Sequence, residues 1–356
     1  MDKFDYMAKQ GFEQLVYIYD KTTGLKGIIC IHDTTLGPAL GGTRLWNYKN
    51  EDEAVLDVMR LARGMTLKSA AAGLNLGGGK AVLIGDAEVC KSEAYFRALG
   101  RFVQSLNGRY ITAEDINITT QDLDFVKMET DYVVGLEGKS GNPSPITALG
   151  AFYGIQAALK YKYNQDDISE YSFAVQGAGQ TGYFLIKYLL EANAKKIYFS
   201  EINPKYIERM RQEHPQVEFV DPKGIYDLDV DVFVPCALGA ILNDENIPRF
   251  KAKIVAGTAN NQLLDETKHG KMLKAANILY APDFVINAGG VINVYHELKG
   301  YNHDDVIRDV KKIYNRLLEI FKISDEQGID TQEAAKVFAL KRIEDIGKVR
   351  SNYILK

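Results

Sequence analysis

Cysteine, histidine and long apolar runs are all scarce in this chain, and each shortage removes a class of function. Only three cysteines occur in 356 residues. Cys30, Cys90 and Cys236 lie far apart and are odd in number, so they spell neither a disulfide framework nor a paired metal-ligand motif, and reduced thiols are expected. The five histidines, His32, His214, His269, His296 and His303, show no ligand spacing, so no metal is expected. No apolar run approaches the roughly 20 residues that cross a bilayer. The opening MDKFDYMAKQGFEQLV also lacks a basic start followed by an apolar stretch, and a cytoplasmic location is expected. Positive charge is not in excess either. The 43 Lys and Arg stand against 47 Asp and Glu, a net charge of -4, which leaves no electrostatic footprint for nucleic acid or an anionic membrane. Small-molecule partners are expected.

What is present is a chain with 46% hydrophobic residues, long enough for two domains. Its periodicity changes character at GKSGNPSP, Gly138 to Pro145, which has the composition of a linker and ends in a Ser-Pro helix start. Before it, helices and strands mix. Asn50, with Glu53 three residues on, is a helix N-cap ahead of Ala54, Val58, Leu61, Ala62 and Met65 at helical spacing. A second helix runs from about Ser92 with Tyr95, Phe96, Leu99, Phe102, Val103 and Leu106 on one face and Gly108 as its stop. Beyond the linker the order is regular: a helix from Pro145 to about Lys160, a strand Ser172 to Gln176, a helix to about Ala192 and a strand Lys196 to Ser200. Further strands are expected at Val230 to Val234, Lys253 to Ala256 and Asn277 to Tyr280. Such alternation predicts an α/β fold with a doubly wound parallel sheet.

The sharpest spacing motif of the second half is AVQGAGQTG, in which Gly177, Gly179 and Gly182 form G-x-G-x-x-G between a strand and a helix. The first glycine permits a tight turn, the second lets backbone approach a pyrophosphate, and the third lets helix and strand pack closely. Ala178, Gln180 and Thr181 complete this expected phosphate loop. At the end of the next strand stands Glu201, whose carboxylate can accept both ribose hydroxyls and would repel a 2'-phosphate, favouring NAD over NADP.

The other glycine-rich stretch, GLNLGGGKAVLIGD from Gly73 to Asp86, does not fit a phosphate loop. Where G-x-x-x-x-G-K-[ST] needs a first glycine and a final hydroxyl this chain has Leu74 and Ala81, and a strand, AVLI, follows where that motif demands a helix. The glycines are read as a close-approach segment and Ala81 to Ile84 as the strand, with Lys80 at its start. Lys68, in MTLKSAAAG, lies twelve residues upstream, and two ammonium groups near one site would each lower the other's pKa, as burial would, which suits a lysine base. YITAED, Tyr110 to Asp115, reads as a short strand ending in the adjacent carboxylates Glu114 and Asp115. Spacing alone leaves open whether these are functional groups or surface charges.

The stretches LGPALGGTRLW, RLARGMTLKSAAAGLNLGGGKAV, GRYITAED, SGNPSP and YAPDFVINAGGVIN, in order over nearly the whole chain, resemble the amino acid dehydrogenases of the glutamate/leucine/phenylalanine/valine group. The resemblance implies an N-terminal mixed α/β substrate domain and a Rossmann-type NAD domain with a cleft between them. The expected bounds are 1–146 for the first, with a C-terminal helix 326–356 packing back on it, and 147–325 for the second. It implies a reversible oxidative deamination in which an L-amino acid, water and NAD+ give a 2-oxo acid, ammonium and NADH, and a homo-oligomer. By the same resemblance Lys80 is the catalytic lysine, Asp115 exchanges protons with the substrate nitrogen, and Lys68 and Asn287 hold the substrate carboxylate. A Gly41-Gly42 turn would bring backbone to the reacting carbon, and Thr147 and Asn261 would lie near the nicotinamide carboxamide.

Leu40, Ala113, Val291 and Val294 stand where the family lines its side-chain pocket, and all are apolar. Glutamate-specific relatives are expected to carry lysine and serine at the first and last of these. An unpaired carboxylate buried here would cost about 2 to 7 kcal/mol, so a branched aliphatic substrate, leucine first, is expected. One methylene discriminates by only about 1 to 3 kcal/mol, which keeps valine and isoleucine close behind. Phenylalanine or valine preference within the family remains an alternative. So does a dinucleotide-binding protein without the chemistry, whose mark would be loss of Lys80 or Asp115; both are present. Two positions depart from the family pattern: Asn117 replaces a usual glycine, and Leu149 a common aromatic. Asparagine tolerates the left-handed backbone that a glycine there implies.

Overall fold

The structure, a computed structural model, describes residues 2–349. The chain forms two compact units, one within Met1–Gly141, Val294–Tyr301 and Ala339–Lys356, the other within Asn142–Asn293 and Asn302–Phe338.

The first unit runs α1 (Lys3–Gln10), β1 (Gln14–Tyr19), β2 (Lys26–Asp33), β3 (Ala39–Trp46), α2 (Glu51–Ala71), β4 (Gly77–Ile84), α3 (Ala87–Cys90), α4 (Glu93–Ser105), β5 (Tyr110–Glu114) and α5 (Thr120–Lys127). Its five-stranded sheet has the order β1-β2-β4-β3-β5. β1, β2 and β4 pair antiparallel, while β3 lies parallel to both β4 and β5. The Asn50 side chain accepts the Glu53 N–H at the start of α2, a cap of about 1 kcal/mol, and Ser92 caps α4 through the Tyr95 N–H. α4 ends at Ser105, three residues before the expected Gly108, because Asn107 already turns the chain at positive φ.

Alternation divides the sheet's faces. Ile29, Ile31, Ala81, Leu83 and Tyr110 pack against Tyr95, Phe96, Leu99 and Val103 of α4, while Ile28, Cys30 and Val82 pack against Val55, Val58, Met59 and Ala62 of α2. β4 is buried along nearly its whole length, and its glycines are part of the strand rather than a loop before it. A Cβ on Gly78 would come within 2.1 Å of the Thr66 nitrogen in α2, so the missing side chain is what lets helix and sheet meet. Lys80 is therefore in the middle of a strand, not at its start.

The second unit comprises α6 (Ser144–Tyr163), β6 (Ser172–Gln176), α7 (Gln180–Glu191), β7 (Lys196–Ser200), α8 (Pro204–Glu213), β8 (Glu218–Phe219), β9 (Val232–Pro235), β10 (Ile254–Val255), α9 (Glu266–Ala275), β11 (Leu279–Tyr280), α10 (Asp283–Ile286), α11 (Gly289–Glu297) and α12 (His303–Gln327). α11 ends in the first unit, and α13 (Thr331–Gly347) passes from the second into the first. The sheet is entirely parallel in the order β8-β7-β6-β9-β10-β11. In strand sequence this is 3-2-1-4-5-6, the doubly wound dinucleotide order, with its reversal between β6 and β9.

β6 and β7 have the expected ends, whereas β9 begins two residues late because Asp231 is occupied in accepting the Ser172 N–H (2.8 Å) and hydroxyl (2.7 Å). The short β8 carries too little apolar sequence to be read in advance. α6 starts at Ser144, with Pro145 in its first turn, and runs on to Tyr163. The division at 141/142 precedes the expected 146/147 because α6, whose Gly154 seats Ile286 and Leu317, packs wholly within the second unit. The returning C-terminal segment starts at Ala339, inside α13, rather than at residue 326, and residues 350–356 of the expected segment lie outside the described residues.

Candidate active site

Register assembles the first unit's site. Leu40 pairs with Gly78 and Thr43 with Ala81, which sets Gly42 level with Lys80, and Gly42 pairs with Ala113 of β5. Residues level with one another in a parallel sheet share a face, so Leu40, Gly42, Lys80 and Ala113 are on the α2 side, followed at the strand ends by Arg44 and Asp115. Lys80 is only 6% exposed, and its Nζ lies 2.9 Å from Asp115 Oδ2. Leu40 is buried and Ala113 half-buried. Gly41 and Gly42 are not a turn but the interior of β3. A Cβ on Gly41 would fall 1.8 Å from the Gly79 carbonyl oxygen, so strand packing requires this glycine before any substrate does.

Sequence reasoning missed Arg44. Its Nε donates to Asp115 Oδ2 at 2.9 Å and its Nη1 to Asp57 Oδ2 at 3.0 Å, and the same Asp57 oxygen accepts the Tyr48 hydroxyl at 2.6 Å. Burial pushes the Lys80 amine below the ordinary lysine range, with Arg44 adding to that and Asp115 opposing it. Burial would raise the Asp115 carboxyl, but Lys80 and Arg44 together hold it below its usual range. Arg44 is thus a cation that helps to lower Lys80; Lys68, expected in that role, is half-buried near the C-terminus of α2. Asn117 adopts φ 60° just beyond Asp115, and its Nδ2 donates to the Leu45 carbonyl at 3.0 Å. The left-handed turn is held here by a residue that also ties it to β3.

The glycine loop of the second unit joins β6 to α7 beside the topological reversal. Gly177 has φ 95°, and a Cβ on Gly182 would sit 2.0 Å from the Gly177 oxygen, so the close helix–strand approach is real. A Cβ on Gly179 would meet only Tyr206, at 3.9 Å, which leaves the N-terminus of α7 approachable. Glu201 accepts the Ala178 N–H at 3.0 Å through Oε2, and the Ile202 and Asn203 N–H groups at 2.8 and 2.9 Å through Oε1. Arg209 of α8, also missed, donates to the Ala178 carbonyl at 3.1 Å and covers the Tyr183 ring at 4.0 Å. Ile202 and Leu238, at the C-terminal ends of strands flanking β6, are 78% and 73% exposed, apolar surfaces beside a polar loop.

Thr258 links the remaining residues of this unit. Its hydroxyl pairs with Thr181 Oγ1 at 2.7 Å, and its carbonyl accepts Asn287 Nδ2 at 3.2 Å. Asn287 is buried and donates again to Asn260 Oδ1 at 2.7 Å, while its own Oδ1 has no hydrogen-bond partner among the described residues. Asn261 has φ 50° and an exposed side chain, and its carbonyl accepts the Ala240 N–H at 2.7 Å. Thr147 donates to the Pro143 carbonyl and lies against Gly290. Val291 and Val294 are three residues apart on α11, buried and half-buried. Among the described residues no cluster of His, Cys, Asp and Glu could hold a metal, and no helix is long and apolar enough to cross a membrane. The three cysteines are free.

Known proteins match this chain along its length. The profile described as "Glu/Leu/Phe/Val dehydrogenase, dimerisation domain" matches residues 14–132, and that of "Glutamate/Leucine/Phenylalanine/Valine dehydrogenase" residues 201–350. The leucine dehydrogenase of Thermoactinomyces intermedius is 54% identical over 357 aligned residues, 99% of this chain and 97% of the relative. The L-tryptophan dehydrogenase of Nostoc punctiforme is 47% identical over 351, covering 99% of both chains. A crystal structure of L-tryptophan dehydrogenase from that organism aligns with TM-score 0.87 at 45% identity, covering 96% of this chain and 99% of that one. Identity of this order over whole chains, with a profile match in each half, means that the chain belongs to the glutamate/leucine/phenylalanine/valine dehydrogenase family.

Proposed function

We propose that this protein catalyses the reversible NAD-dependent oxidative deamination of a branched-chain L-amino acid, leucine first, to the 2-oxo acid and ammonium. The observation that carries this reading is the contact of buried Lys80 with half-buried Asp115, 2.9 Å apart on a sheet face that also bears Leu40 and Ala113. A lysine whose pKa burial has lowered gives up its proton at lower pH than a free lysine does, and the carboxylate beside it is a second group that can exchange one. Lys80 accepts the proton of the water that attacks the substrate imine, and its ammonium then offsets charge on the carbinolamine oxygen. Asp115 exchanges protons with the substrate nitrogen. Lys68 and Asn287 are assigned to the substrate carboxylate, and Leu40, Ala113, Val291 and Val294 to its side chain.

NAD fits the residues of the second unit. The open backbone at Gly179 heads α7, so Gly177 to Gly182, with Ala178, Gln180 and Thr181 between, can receive a pyrophosphate on backbone N–H groups. Three N–H donors fix the Glu201 carboxylate while leaving lone pairs for ribose hydroxyls, and a 2'-phosphate would meet its negative charge. Exposed Ile202 and Leu238 offer apolar cover for an adenine. Thr147 and Asn261 are assigned to the carboxamide end. Held by these residues, NAD+ would supply the acceptor for the hydride of the substrate α-carbon.

A cytoplasmic homo-oligomer completes the proposal. Edge strand β1 carries Tyr17 and Tyr19, 50% and 61% exposed, within the segment matched by the dimerisation profile. The test is NADH production from a panel of leucine, valine, isoleucine, phenylalanine, tryptophan and glutamate, with NAD and NADP in parallel and the assembly sized by light scattering. The highest kcat/KM should belong to leucine with NAD. A higher value for tryptophan or phenylalanine would overturn the substrate assignment, and a monomer the assembly.

A further inference from the structure

Asp115 is held from two sides, by groups on different strands, through one oxygen. Lys80 Nζ from β4 and Arg44 Nε from β3 both lie 2.9 Å from Oδ2. Asp115 Oδ1 makes no such contact among the described residues. Arg44 is in turn fixed at its far end, since its Nη1 donates to Asp57 of α2, and Asp57 also accepts the Tyr48 hydroxyl from the segment after β3. Two carboxylates, Asp115 just after β5 and Asp57 on α2, thus meet a single guanidinium, whose planar fork can serve both at once.

We propose that Arg44 is a positioning residue for the deamination: together with Lys80 it pins Asp115 Oδ2, which leaves Oδ1 as the oxygen that exchanges protons with the substrate nitrogen, while Asp57 and Tyr48 hold Arg44 in place. This rests on the reading of Lys80 and Asp115 as the catalytic pair. A simple cross-brace between β3, β5 and α2 would need neither the shared oxygen nor a guanidinium fixed at both ends. The shared oxygen has a consequence for proton transfer. Rotation of the carboxylate would break two charge-assisted bonds, so its free oxygen keeps one direction without rearranging during the reaction.

The charged and titratable groups around Asp115 are Lys80 on β4, Arg44 on β3, Asp57 on α2, Tyr48 after β3, and Tyr110 and Glu114 on β5, the strand it follows. Removing Arg44 takes one cation away from both members of the pair. The Asp115 carboxyl then protonates at higher pH, and the Lys80 ammonium persists to higher pH, so both changes move the rising limb of the pH–rate profile upward. On its outer side Arg44, with Tyr48, Asp57, Arg60 and Trp46, lines a cavity of about 300 Å³, which is open to a small planar cation.

The experiment uses the full chain with Arg44→Ala, Arg44→Lys, Tyr48→Phe and Asp115→Asn, each followed by kcat and KM against pH and by thermal melting. Arg44→Ala should lower kcat by about a hundredfold, the scale of a misplaced catalytic group, with a much smaller change in KM. Its rising limb should move to higher pH, and guanidinium ion at non-denaturing concentration should restore part of both. Arg44→Lys should keep the limb near its original place while kcat stays low, because charge is kept and the fork is lost. If Arg44→Ala does not give a cooperative melt, Tyr48→Phe carries the test, with the same upward shift in smaller measure. An unmoved profile with kcat within threefold of the parent in whichever of these folds would overturn the role of Arg44. Full activity in Asp115→Asn would instead overturn the underlying assignment of the pair.

Discussion

The Ala178 N–H donates to Glu201 Oε2 at 3.0 Å, so the glycine loop after β6 and the acid at the end of β7 are set by one hydrogen bond. Replacing Glu201 by serine removes a charge and this brace together. A hydrogen bond to a charged group contributes about 1.5 to 3 kcal/mol, which corresponds to roughly a tenfold to hundredfold weaker use of NAD. Use of NADP should rise as the repulsion of its phosphate is lost. Steady-state kcat/KM with both cofactors checks this, and an unchanged preference would remove Glu201 from the ribose site.

The parts of this protein legible in its sequence are those written in local spacing. The G-x-G-x-x-G run, the Asn50 and Ser92 caps and the strands Ser172–Gln176 and Lys196–Ser200 each depend on residues a few places apart. The network on Asp115 could not be read this way. Arg44, Asp57 and Asp115 become neighbours only through the register of β3, β4 and β5 and the seating of α2 on Gly78, and a lone arginine two residues beyond a glycine pair carries no local signal. The glycines misled for a related reason. Gly41 and Gly42 read as a turn and Gly77 to Gly79 as a close-approach segment ahead of a strand, whereas crowding within a buried sheet selects them as strand residues.

Lys80 carries the largest expected loss of activity. Lys80→Ala should reduce leucine deamination by about 10² to 10⁴, the usual range for a positioned acid or base. Because burial lowers the folded-state pKa of this amine, its neutral form gains population at lower pH than in a free lysine. The parent rate should therefore rise with pH and level off below the ordinary lysine value. Lys80→Arg, which keeps the charge but cannot release the proton, should not rescue the rate. Loss of less than tenfold in Lys80→Ala would mean that the catalytic role has been misassigned.

Leu40 is 2% exposed and on the same sheet face as Lys80, which makes it a direct probe of substrate choice. A Leu40→Lys substitution should let glutamate act as a substrate and lower kcat/KM for leucine by at least about tenfold, since a buried apolar contact is replaced by a charge. In the absence of an acidic substrate that ammonium has no designed partner, and the melting temperature should fall, then recover partly when glutamate is added. Unchanged leucine turnover would show that the pocket is elsewhere.

Asn117 separates backbone conformation from side-chain bonding at the turn after Asp115. Its φ of 60° suits glycine, and its Nδ2 bond to the Leu45 carbonyl is something glycine cannot make. Asn117→Ala meets both penalties. It places a Cβ in the left-handed region, at about 1 to 2 kcal/mol, and loses a hydrogen bond contributing about 0.5 to 1.5 kcal/mol. Asn117→Gly loses the bond but relaxes the backbone strain, so its stability should be close to that of the parent, with the difference read by chemical denaturation. Activity should follow the same order, because Asp115 is two residues away and keeps its place only while the turn does. If alanine and glycine at this position proved equally stable, the left-handed turn would not be what Asn117 maintains, and the bond to Leu45 alone would account for its presence.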